Sequence, residues 1–263
     1  MDFLFHLMEK TAIPMETPPP YGAFHLTFLI LGFLAAGLAA WRLRRLGEKG
    51  SRILLFSAGL FLLLIEIWKQ LFFTFYIGRG EYQWYVFPFH MCSVPMYLLL
   101  AAPFLKEGRL RGSLLHFMMI YNLLGGTAAY LAPSEMLTPW LFLTVHSFLW
   151  HLTLVFVGLW LGFSDLTEKR MRDFGDATAA LLLFTAAAFL LNLVFRRASG
   201  GDLNMFFVGP NPSPLIVFRD IARAWGWAAG TAVYLLSVLL GGFLIFLPFF
   251  FAAERKRRRT GRE

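Results

Sequence analysis

Apolar residues in this chain come in long blocks joined by short polar stretches. Seven blocks stand out, at about 23–42, 53–76, 86–105, 113–132, 140–163, 176–195 and 228–252. A helix rises ~1.5 Å per residue, so each block is long enough to cross ~30 Å of hydrocarbon. The pattern therefore predicts an all-α, polytopic membrane protein with about seven transmembrane helices, forming a single domain over 1–252. A loop over about 196–227 and a basic tail over 253–263 complete the expected layout.

The joints set the expected orientation. Seventeen Lys and Arg residues fall in the joints after the first, third and fifth blocks and in the tail, against six in the remaining, longer joints. Basic residues accumulate on the cytoplasmic side, so the N-terminus is expected outside, the C-terminus in the cytoplasm, and the protein in the cell membrane. Among the outer joints, PMETPPPYG reads as polyproline-like. APSEMLTP offers Ser134 as an N-cap and Pro139 near a helix start. The 196–227 joint is much the longest. Its centre, GGDLNMFFVGPNPSP, reads as an ordered lid, because long loops of this kind are functional covers or disordered and this one is aromatic. The following PLIVFRDIARAWGW reads as a short amphipathic helix lying in the interface.

Composition sharpens the class. The 263 residues are 58% hydrophobic and 15% charged, well below the roughly one quarter charged of soluble domains. The net charge of +8 sits in the joints and tail, so it reports topology, and no nucleic-acid motif accompanies it. The RKRRR run at Arg255–Arg259 reads as an anchor on anionic headgroups. The start, MDFLFHLMEK, lacks a basic region ahead of its apolar patch and reads poorly as a secretory signal. The single cysteine, Cys92, permits no intramolecular disulfide.

Ionisable residues at membrane depth are candidates for function. Glu66 and Lys69 lie three apart on one face of the second block; they read either as a self-neutralising pair that fixes packing or as a headgroup-binding cation with its orienting carboxylate. Cys92 lies about 10 Å below the outer interface if the third block is helical throughout. It reads as an inert filler or, with a histidine and a cation nearby, as a nucleophile. His90 is about 200° from it on a helix, which gives His90 a pocket-lining role. TVHSFLWHLTL places His146 near the depth of Cys92 and His151 nearer the midplane. Asn122, beside Gly125–Gly126, reads as interhelical glue or as an oxyanion donor, and Asn192 is a weaker instance. No ligand spacing supports a metal, and no cofactor is expected. The residues support acyl transfer on a lipid-like substrate, with a carrier bundle using Glu66, Lys69, His90 and Asn122 as the rival.

FPFHMCSVPMYL, WLFLTVHSFLWHLTLVFVG and NMFFVGPNPSPL, in this order, resemble the YwaF-type bacterial integral membrane proteins, relatives of transmembrane protein 164. Those are more distantly akin to the androgen-dependent and androgen-induced hydrolases of fatty-acid esters. The resemblance implies an intramembrane acyltransferase that moves fatty acyl chains between phospholipids through a cysteine and a histidine. The cysteine carries over to Cys92 and the histidine to His151, with His146 as the alternative. Asn204, which opens the third motif, is counted with the pocket residues, and phospholipids are the expected partners.

Overall fold

The computed structural model describes residues 2–211 and 213–260; Pro212 and the end of the basic tail, including Arg262, lie outside it. The described chain is helical: α1 (Asp2–Glu9), α2 (Ala23–Leu43), α3 (Glu48–Leu71), α4 (Val94–Ala101), α5 (Arg109–Phe117), α6 (Leu123–Leu131), α7 (Leu141–Phe163), α8 (Met171–Val194), α9 (Ile216–Trp225) and α10 (Trp227–Thr260). A π-helical turn, Phe72–Ile77, extends α3, and another, Met118–Asn122, joins α5 to α6 into one continuous rod. Six helices are long and apolar enough to cross a membrane: 23–43, 48–77, 109–131, 141–163, 171–194 and 227–259.

The expected span at 86–105 is realised differently. Helix begins only at Val94 and ends in a 3₁₀ turn at Phe104, a rod of ~16 Å at ~1.5 Å per residue. Proline is the reason. Phe87 precedes Pro88, where the α conformation is sterically disfavoured, and it is extended at φ −52°, ψ 131°. Pro95 has no N–H to extend a ladder towards Met91. The chain nevertheless returns along α3. At its far end Arg52 donates to the Pro103 carbonyl, and Arg111 pairs with Glu48 at 2.8 Å. Gly59 permits that return, because a Cβ there would stand 2.9 Å from the Leu100 nitrogen.

α7 is the centre of the bundle, with buried residues along its length from Leu143 to Gly162. Gly126 and Gly158 let α6 and the π turn press against it; a Cβ on Gly126 would meet the His151 carbonyl oxygen at 2.8 Å. Ser134 does not cap α7. It lies in a 3₁₀ turn (Pro133–Met136), and the helix starts after Trp140 without a side-chain cap. Its first N–H instead donates to Ile13 O at 2.9 Å, while the Thr144 hydroxyl accepts from Thr138 N–H at 2.9 Å. The amphipathic segment forms α9, which buries no residue and leaves Ile216, Val217 and Trp225 exposed. Gly226, at φ 88°, turns it into α10, and α10 carries Arg255–Arg259 on its last turns.

Candidate functional site

Trp150 on α7 is the hub around which the candidate residues gather. Its ring is 4% exposed, and its Nε1–H donates to the Cys92 carbonyl at 2.9 Å. The carbonyl needs that donor. In a continued α-helix it would receive the Met96 N–H, but Met96 N–H donates to Ser93 O. Cys92 thus lies in the turn that leads into α4, half-buried and with a free thiol.

The Lys69 ammonium stands 6.0 Å above the Trp150 ring and pairs with Glu66 at 2.8 Å. Gln70 donates both to Glu66, at 2.7 Å, and to the Val86 carbonyl, at 2.7 Å, tying α3 to the non-helical segment before Cys92. Lys69 is within electrostatic reach of Cys92, His90, His146 and His151. One half-buried cation therefore acts on the thiol and three imidazoles together. Tyr234 of α10 is also within electrostatic reach of Cys92.

The two α7 histidines differ. His151 Nδ1 is 2.8 Å from Ser147 O. A carbonyl only accepts, so Nδ1 carries the proton and Nε2 presents a lone pair, the tautomer a base requires. His146 is stacked on Trp150 at 5.6 Å and lies 6.0 Å from the Trp68 ring. Both its ring nitrogens are buried without a hydrogen-bond partner. Trp150 thus ties Cys92 to α7, with His146 stacked on the same ring and His151 next to it in the chain. Residues 90–92 are not helical, so the ~200° a helix would put between His90 and Cys92 does not apply.

The 203–208 segment, from the joint between α8 and α9, packs over this region. Asn192 on α8 clasps it with three hydrogen bonds: Nδ2–H to Met205 O at 3.0 Å and to Val208 O at 2.6 Å, and Met205 N–H to Oδ1 at 2.7 Å. Phe206 and Phe207 adopt φ of 55° and 54°. That conformation turns Phe207 onto His90, ring centroids 5.1 Å apart, and Phe206 onto Phe89 at 6.0 Å. His90 Nδ1 is buried without a partner. Asn204 donates to Asn211 O at 3.1 Å, and Asn211 donates to Leu203 O at 2.8 Å; Asn204 thus braces the cover.

Asn122 ends the π turn, one helical turn before the Gly126–His151 contact, with both amide atoms buried and unpartnered. π turns recur at functional sites. The structure thus collects Cys92, His151, His146, Lys69, Glu66 and His90 around Trp150, with Asn122 a turn away and Asn204 in the cover. Trp150 and Tyr234 escaped the sequence reading. The only signal for Trp150 is its position beside His151. Among the described residues no three His, Cys, Asp or Glu side chains group as metal ligands.

Against known proteins, the model of the TMEM164 family matches residues 20–256. No curated protein and no solved structure matches the chain.

Proposed function

Since the chain belongs to the TMEM164 family, we propose that it is a phospholipid acyltransferase of the YwaF type, working through Cys92 and His151. One observation carries the reading: Trp150 grips the backbone of Cys92 while the next residue, His151, has its Nδ1 proton committed to Ser147 O and its Nε2 lone pair available. In this reading His151 Nε2 takes the thiol proton as Sγ attacks the ester carbonyl of a donor phospholipid. The tetrahedral oxyanion collapses, the C–O bond breaks, and the lysolipid oxygen leaves with the proton from His151. The acyl group stays on Cys92 as a thioester. A second lysolipid hydroxyl then gives its proton to His151 and attacks the thioester, and the departing thiolate recovers the proton. Asn122 is the oxyanion donor, and Lys69 holds the headgroup phosphate. Water in place of the acceptor makes the same site a hydrolase.

The architecture of the reading is a seven-crossing protein of the cell membrane, N-terminus outside, with the segment from Tyr82 to Phe104 as the third crossing, half irregular and half helix. Non-helical backbone at membrane depth is tolerated where protein buries it or it lines a cavity. A second reading, a carrier, draws on the buried, unpartnered atoms of Glu66, His90 and Asn122.

The experiment is transfer of a labelled acyl chain from phospholipid to lysolipid by purified protein, with intact-mass detection of an acyl adduct. Cys92→Ala is expected to abolish both signals. His151→Ala is expected to lower the rate by ~10²–10⁴, the usual worth of a general base. Full activity in Cys92→Ala sinks the mechanism. Flux into liposomes that is lost in Lys69→Met but kept in Cys92→Ala selects the carrier.

A further inference from the structure

A cavity of about 790 Å³ opens where α2, α7 and α10 end, roughly 18 Å along α7 from Trp150 at ~1.5 Å per residue. Five cations line it: Arg44 beyond α2, Lys169 and Arg170 in the α7–α8 joint, and Lys256 and Arg257 on α10. Two carboxylates face them, and both are engaged. Asp165 pairs with Lys256 at 2.8 Å, and Glu168 with Arg170 at 3.0 Å. Among the described lining residues, cations thus outnumber carboxylates five to two. Neither Arg44 nor Lys169 has a carboxylate partner among the described residues. Lys169 is 6% exposed, and its three-donor ammonium is seen to donate to one carbonyl, that of Ser164. Burial, more than the partly compensating Asp165, brings its pKa down to about 8. With one hydrogen bond and only longer-range help from Asp165 and Asp173, set against Lys256, this buried ammonium favours a further anion beside it.

The rest of the cavity shows which kind of anion. Its floor is apolar, with Trp41, Phe163 and Phe249, and the Arg44 guanidinium lies 3.6 Å over the Trp41 ring. Leu34, Leu38 and Trp41 share one face of α2, and all three are exposed. That stripe is a lipid-facing surface running straight into the cationic mouth. Basic pockets between membrane helices recognise anionic headgroups. We infer that this cleft binds the headgroup phosphate of an anionic phospholipid, whose acyl chains lie along the Leu34–Leu38–Trp41 stripe. The site is separate from Cys92 and stands whether or not the acyl-transfer reading holds.

The test uses the full chain in detergent, with phosphatidylglycerol, phosphatidylcholine and glycerol 3-phosphate as probes, read by native mass spectrometry and by melting temperature. Phosphatidylglycerol is expected to be retained in preference to phosphatidylcholine and to raise the melting temperature. Arg44→Gln and Lys169→Gln should each weaken its retention about fivefold, the worth of one cation near an anionic surface. Arg223→Gln, on exposed α9, should leave it unchanged. Should Lys169→Gln fail to fold, Arg44→Gln carries the test from the rim. Equal retention of the two lipids, or wild-type retention in Arg44→Gln, overturns the inference. An equal thermal shift from glycerol 3-phosphate alone also overturns it, since the ligand is then a free phosphate.

Discussion

Trp150→Phe separates the positioning of Cys92 from the packing of α7. The substitution keeps an aromatic ring against His146, where the stacking distance is 5.6 Å, and deletes only the indole N–H that reaches the Cys92 carbonyl at 2.9 Å. A buried carbonyl left without its donor costs ~1–3 kcal/mol. Weaker attraction between a phenyl face and Lys69, 6.0 Å away, adds ~0.5 kcal/mol at most. If about 2 kcal/mol of this is expressed as loss of the reactive placement of Cys92, acyl transfer falls about thirtyfold. The comparison protein is Trp160→Phe. Trp160 is fully buried on the same helix and donates to Leu43 O at 3.0 Å, so the same chemistry is removed at the other end of α7. Both variants should lose similar thermal stability, and only Trp150→Phe should lose specific activity per folded molecule. Equal specific activities in the two variants would refute the assignment of Trp150 as a positioning residue.

Lys69→Met leaves the buried Glu66 carboxylate without its cation, which costs ~3–5 kcal/mol. The melting temperature should drop accordingly and recover in Lys69→Met/Glu66→Gln. Asn192→Ala removes three hydrogen bonds from the cover, worth about 1 kcal/mol each. Hydrogen exchange at 203–208 should accelerate while α7 stays protected. For Lys169 the folded pKa of about 8 lies below its ordinary 10.5, so between those values the unfolded chain holds a proton that the native chain lacks. Stability in the absence of anionic lipid should therefore rise with pH across about 8 to 10.5. In Lys169→Met that part of the slope should vanish, as read from melting temperature against pH.

The six long helices were legible because block hydrophobicity is a one-dimensional property, carried by every residue in the window. The stretch around Cys92 was legible only as an apolar length. Pro88 and Pro95 are both visible in it, yet a window average is insensitive to a missing N–H or to the steric limit on Phe87. A depth count for Cys92 that starts from helix at residue 86 inherits that error. Trp150 was invisible for another reason: its bond joins residues 58 positions apart, and nothing local marks an indole as satisfied by a distant carbonyl. Likewise Asn192 was legible as a polar group in a span, but its partners in the 203–208 segment were not.

Phe206 and Phe207 hold left-handed backbone, φ 55° and 54°, without the freedom of glycine. Such a residue costs roughly 1–2 kcal/mol, so the pair stores about 2–4 kcal/mol in the closed cover. That is comparable to what the three bonds from Asn192 return. The 203–208 segment therefore balances two opposing local terms. Its polar clasp and its backbone strain nearly cancel, and what holds it shut is the burial of Met205, Phe206 and Val208. An apolar chain arriving from the bilayer offers those side chains an equally dry surface, whereas water does not. The 203–208 segment is therefore held in place chiefly by apolar burial.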